Sequence, residues 1–195
     1  MIAAVEDVLT EAVLRRMLRE LRPDLAISVF LGKTGRGYIE KRAIELNRTA
    51  RSIPVIILMD LDRPKPCPAD LIAKVLSSQP APNLLFRIAV MEIESWVMAD
   101  RDRFARFLGV PSHRIPLNTD TISAPKEFVV SLARRSSRRD VREDLVPAAG
   151  GTAVVGPAFN PRLVTFVTNE WSLRRAAECS PSLRKMVQRL ATAFF

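Results

Sequence analysis

Val55-Ile56-Ile57-Leu58-Met59-Asp60-Leu61-Asp62 is the stretch whose reading decides the fold. It is an apolar run rich in β-branched residues, ending in two aspartates one residue apart. Such a run reads as a strand buried on both faces, the pattern of a parallel sheet. Residues i and i+2 of a strand project to one side, so Asp60 and Asp62 are expected to stand together at its carboxyl end. Ligands of open α/β sheets bind outside that end. Paired carboxylates raise each other's pKa unless a cation lies between them, and Mg2+ or Mn2+ suits such a pair. The plainer alternative is a solvated Asp-x-Asp turn after a core strand.

Working outward, the apolar pattern predicts a strand over Ile2 to Val5 and a helix over Thr10 to Leu21. That helix carries Val13, Leu14, Met17, Leu18 and Leu21 on one face. A second strand is expected over Ala26 to Leu31, then a helix from Tyr38 to about Arg51. After the strand Pro54 to Asp62 and a Pro-rich turn comes a helix over Ala69 to Ser77. Leu84 to Val90 closes the series as a strand that runs into Met91-Glu92-Ile93-Glu94-Ser95-Trp96. Alternation at this spacing implies an α/β fold with a mainly parallel sheet and flanking helices. Residues 1–100 are read as the α/β core, and 101–195 as a mostly helical extension packed on it. Trp96 and Trp171 are expected in the core.

The chain has 195 residues and a formal net charge of +9, with arginine prominent among its cations. That excess points to a polyanionic partner, nucleic acid in the first place. Its densest cluster is Arg134-Arg135-Ser136-Ser137-Arg138-Arg139-Asp140-Val141-Arg142. Arg134, Arg135, Arg138, Arg139 and Arg142 read either as a backbone contact or as a solvated helix end. No apolar run is long enough to span a bilayer, and the acidic start of the chain argues against a signal peptide. Cys67 and Cys179 show no metal or redox spacing, which suits a reducing cytoplasm. His113 stands alone in a loop and is expected at the surface, so a metal site would be built from oxygen ligands. Gly32-Lys33-Thr34-Gly35-Arg36-Gly37 lacks the Walker A spacing and reads as a flexible basic loop.

Acids recur at the predicted strand ends: Glu6 with Glu11 close behind, Asp60 with Asp62, and Glu92 with Glu94. If their strands are neighbours, Glu6, Asp60 and Asp62 can converge on one or two metal ions. Two such ions can activate water and stabilise the leaving oxygen of a phosphodiester. Glu11 and Glu94 each have a second reading as first-turn acids of a helix. Lys126, behind Pro125 at the start of a predicted helix (Pro125 to Ala133), can offset charge developing on a phosphate; the alternative is an exposed lysine.

A glutamate after the first strand, a second acid in the next helix and Asp-x-Asp after a later strand together resemble the TOPRIM arrangement. Val5-Glu6-Asp7 with Thr10-Glu11, Leu58-Met59-Asp60-Leu61-Asp62 and Glu92-Ile93-Glu94-Ser95-Trp96-Val97-Met98-Ala99-Asp100 are similar to a bacterial TOPRIM-like family of unknown function, DUF4276. The resemblance implies that Glu6 is a general base or metal ligand and that Asp60 and Asp62 bind metal. It implies that Glu11 is the second acid of the nuclease branch related to the OLD family. Asp7 stands where that family usually has glycine, and Leu61 replaces the small residue between the aspartates.

The expectation is therefore a Mg2+- or Mn2+-dependent nuclease acting on DNA or RNA, of the kind found in defence systems. Its shell would be completed by Glu11, Glu92 or Glu94. The rival is a non-catalytic binding or regulatory subunit working with an ATPase partner, since the chain has no ATPase motif of its own. Nucleotide-sugar transfer fits Asp-x-Asp but leaves the basic charge unexplained. A dehalogenase-type phosphatase fits poorly because Arg63-Pro64 follows the pair.

Overall fold

The structure, a computed structural model, describes residues 1–62 and 67–194, so Arg63-Pro64 lies outside the described residues. The four strands are β1 (Ile2–Val5), β2 (Val29–Gly32), β3 (Val55–Asp60) and β4 (Leu84–Ala89). They form one all-parallel sheet in the order β2-β1-β3-β4. Helices α1 (Val8–Leu21), α2 (Arg36–Thr49) and α3 (Pro68–Leu76) connect successive strands. The chain leaves β1 toward one edge and returns to β3 on the other side. The topological switch point therefore falls between β1 and β3, where open parallel sheets form their ligand crevice.

Strand alternation sorts the core into two layers. Ala4, Ile57 and Met59 face α2 and α3, while Ala3, Val5, Ile56 and Leu58 face α1 and the helices after residue 100. Every residue of β3 is buried, as its apolar run predicts. The later helices are α4 (Ile93–Met98), α5 (Arg101–Leu108), α6 (Pro125–Arg134), α7 (Arg139–Leu145), α8 (Phe159–Asn169), α9 (Leu173–Cys179) and α10 (Pro181–Ala191). They share one apolar cluster with β1, β3 and α1. Trp96 and Trp171 are fully buried in it, and their indole N–H groups donate to Ser182 Oγ and the Trp96 carbonyl.

Boundaries differ from expectation where tertiary bonding overrides local pattern. The second strand forms over Val29–Gly32, because only these residues register against β1. The Gly32–Gly37 loop is held down at two points: the Lys33 and Gly35 N–H groups donate to the carbonyls of Val5 and Glu6, each at 3.0 Å. The third strand stops at Asp60 because Asp62 takes the left-handed conformation, φ 62°. No helix is long and apolar enough to cross a membrane among the described residues.

Candidate active site

Glu6 leaves the carboxyl end of β1 and Asp60 ends β3, so the switch point brings the two acids together. Glu6 Oε1 accepts the Asp60 N–H at 2.9 Å. Asp60 has the same strand parity as Ile56 and Leu58, so it turns toward the layer of α1, α4 and α6. It is only 3% exposed, and its Oδ1 is buried without a hydrogen-bond donor. Glu94, in the first turn of α4, is fully buried, and neither of its oxygens has a donor.

Lys126 is the cation that reaches Glu92 and Glu94 among the described residues. Its Nζ lies 3.5 Å from Glu92 Oε1 and 3.8 Å from Glu94 Oε1. Glu92 also accepts the Lys126 backbone N–H at 2.9 Å through Oε2, which satisfies one of the free N–H groups at the start of α6. The turn between β4 and α4 that aims these acids passes through Met91 at φ 63°, a costly conformation for a non-glycine residue.

Burial dominates the protonation of the cluster. It raises the Glu6 carboxyl to about 7, with the Asp62 charge adding to it and the Asp60 N–H opposing it. Glu94 is pushed up to about 8 by burial, against the pull of Lys126. Asp60 is raised well above the ordinary carboxylate range, first by burial and then by the charges of Glu94 and Glu6. For Lys126 burial acts downward, but Glu94, Glu92 and Asp60 outweigh it and hold the ammonium charged.

Asp62 departs from the expected pairing. Its left-handed backbone breaks strand alternation, so it lies exposed, with Oδ2 3.1 Å from Arg36 Nη1. Glu11 is bound 2.8 Å from both Lys33 and Arg15, and these contacts outweigh burial and lower its pKa. Asp7 is the residue that sequence reasoning missed. Its Oδ1 accepts the Thr10 N–H and hydroxyl at 2.8 Å and caps α1, while its charge reaches Glu6, Asp60 and Glu94. The signal was present as an aspartate three residues before a threonine at a helix start.

The arginine cluster lies at the far end of α6, roughly 12 Å along the helix from Lys126 to Arg134. Much of it is neutralised within the chain. Arg138 is 2.9 Å from Asp140 and Arg139 is 2.8 Å from Glu143, while Arg142 donates to the Ser136 carbonyl. Arg134 and Arg135 are exposed.

Among the described residues, no group of three or more His, Cys, Asp or Glu side chains is placed to hold a metal ion. The chemistry of the donors nevertheless fits a hard divalent cation: buried carboxylate oxygens, mutually repelling, several without a donor. No family model, curated protein or solved structure matches this chain. The class that fold and site define is a parallel α/β protein with a buried acidic cluster at its switch point.

Proposed function

We propose that the chain is a Mg2+- or Mn2+-dependent phosphodiesterase acting on nucleic acid. The observation that carries this reading is the pair of buried acids, Asp60 and Glu94, which bear on each other and keep orphaned oxygens, with Glu6 held against the Asp60 backbone. A buried carboxylate without donors is costly, and a cation is what relieves it. Asp60 and Glu94 would hold the metal, with Glu6, Glu92 and Asp7 shaping the field around them. Bound there, the ion would supply positive charge to lower the pKa of a water and to stabilise a phosphoryl oxygen.

The chain's own residues account for the rest. Glu6 Oε1 is held by the Asp60 N–H, which leaves Oε2 to take a proton from an attacking water. A carboxyl raised to about 7 is matched to that task near neutral pH. Lys126, held charged by Glu94 and Glu92, offers an ammonium to the non-bridging oxygens of a phosphate as negative charge develops. Resemblance to TOPRIM nucleases and the net charge of +9 both favour a nucleic-acid substrate.

The test is cleavage of plasmid, linear and single-stranded DNA and of RNA with Mg2+ or Mn2+, with Asp60→Asn and Lys126→Met prepared in parallel. Loss in both variants supports the assignment, and equal activity in all three preparations marks a contaminant. Absence of cleavage by any preparation turns the reading to a binding or regulatory subunit that needs a partner such as an ATPase.

A further inference from the structure

Arg87 is the odd residue of β4, a cation in the strand Leu-Leu-Phe-Arg-Ile-Ala. It pairs in register with Leu58 and shares its parity with Leu85 and Ala89, so it faces the layer that contains α10. Its side chain is partly buried, and Nε is fully buried with no acceptor. Among the described residues no carboxylate pairs with it, and the like charge of Arg189 bears on it instead. Lys185 and Arg189 lie one turn apart on α10, both exposed and without an ion pair among the described residues. Arg87 and Lys185 line a cavity of about 400 Å³ that reaches Val90, two residues before Glu92. The acid on that cavity wall, Asp120, is already engaged, accepting the Ser182 N–H at 2.7 Å and the hydroxyls of Ser180 and Ser182.

We propose that Arg87, Lys185 and Arg189 form a second anion site, which holds the phosphodiester backbone of a nucleic-acid strand beside the acidic cluster. This assignment rests on the nucleic-acid reading above. Arg87 lines the cavity without a carboxylate partner among the described residues, and guanidinium suits phosphate. Arg87 on β4 with Lys185 and Arg189 on α10 sets three cations on neighbouring elements, which the repeating charge of a nucleic-acid backbone can match. The Arg134–Arg142 cluster is denser in sequence, but Asp140 and Glu143 already offset Arg138 and Arg139.

The test is fluorescence anisotropy of a labelled single-stranded oligodeoxynucleotide in EDTA, so that binding is read without cleavage. The Lys185→Gln/Arg189→Gln double variant is expected to bind about tenfold more weakly, with a salt dependence shallower by about 0.7 per lost contact. Arg87→Gln is expected to weaken binding as well, while Arg134→Gln/Arg135→Gln leaves it near wild type. The exposed α10 pair keeps the test decisive if Arg87→Gln fails to fold, which a thermal melt reads. Unchanged affinity in the double variant, larger loss in the Arg134/Arg135 control, or no oligonucleotide binding by wild type overturns the site. Binding of inorganic pyrophosphate through these residues without oligonucleotide binding overturns it also. If the double variant loses binding but wild type never cleaves, the site stands and the catalytic reading fails. If wild type cleaves and the double variant binds normally, the site fails alone.

Discussion

Replacing Glu94 with glutamine should stabilise the metal-free protein, and increasingly so as pH rises. Glu94 is fully buried with both oxygens undonated, and its carboxyl is raised from 4.5 to about 8 mainly by that burial. Between those values the folded chain keeps a proton on Glu94 that the unfolded chain has released. Where the folded state binds more protons, stability falls as pH rises, so this group lowers stability across the window from about 4.5 to 8. The displacement corresponds to a ceiling of ~5 kcal/mol above pH 8. Glutamine keeps the shape but deprives Lys126 of one partner, leaving Glu92, so part of the gain is lost. A net gain of about 2–3 kcal/mol at pH 8.5 and nearly none at pH 5 is expected.

For a chain of this size that gain is worth about 4–12 °C in Tm. Urea unfolding of wild type and Glu94→Gln in EDTA, from pH 5 to 8.5, measures the difference directly. A wild type whose stability relative to the variant stays flat or rises over that range would refute the argument. Glu94 would then be neither desolvated nor protonated as its surroundings require.

Three further outcomes follow from the geometry. Mn2+ at pH 8 should raise the Tm of wild type, by about 2.7 kcal/mol of added stability at a hundredfold excess over Kd; differential scanning fluorimetry should show little shift for Asp60→Asn. Gly32→Ala should destabilise by about 2–3 kcal/mol, because Gly32 has φ 96° and a Cβ there would meet the Val5 carbonyl oxygen at 2.2 Å; chemical denaturation reads it. Asp100→Ala should cost about 2–3 kcal/mol in the same assay, since the fully buried carboxylate accepts the Ser172 N–H at 2.8 Å and Arg175 Nε at 3.1 Å.

The core strand was legible because burial on both faces leaves a continuous apolar run, and β3 is buried throughout. Glu6 and Asp60 were legible as strand-end acids, since a parallel sheet places every carboxyl end on one side. Asp62 was misplaced because strand periodicity was extended two residues too far, past the point where the backbone turns left-handed. The strand order that makes Glu6 and Asp60 neighbours depends on crossovers that local pattern does not encode. Glu92 and Glu94 were both read as strand-end acids, Glu94 also as a first-turn acid, yet one caps α6 and the other is fully buried. Only the packing of α6 against α4 separates them. The arginine count suggested a polyanion, but which arginines remain unpaired depends on contacts across the fold. A lone Arg87 inside an apolar strand therefore drew no notice.

The contrast between Asp100 and the pair Asp60 and Glu94 argues for function over architecture. Asp100 shows how the fold treats a structural carboxylate: it is fully buried, and the Ser172 N–H and the Arg175 guanidinium supply its donors. Asp60 and Glu94 are as deeply buried, yet Asp60 Oδ1 and both Glu94 oxygens have none. Each unsatisfied buried group costs about 1–3 kcal/mol, more when charged, and single substitutions to apolar or amide side chains would remove that cost. A cluster that keeps Asp60 and Glu94 buried together, with Lys126 against Glu94, is poor as core. It is well suited to receiving a cation and a phosphate. The same logic applies to Arg87, a cation on the neighbouring strand whose buried Nε has no acceptor among the described residues.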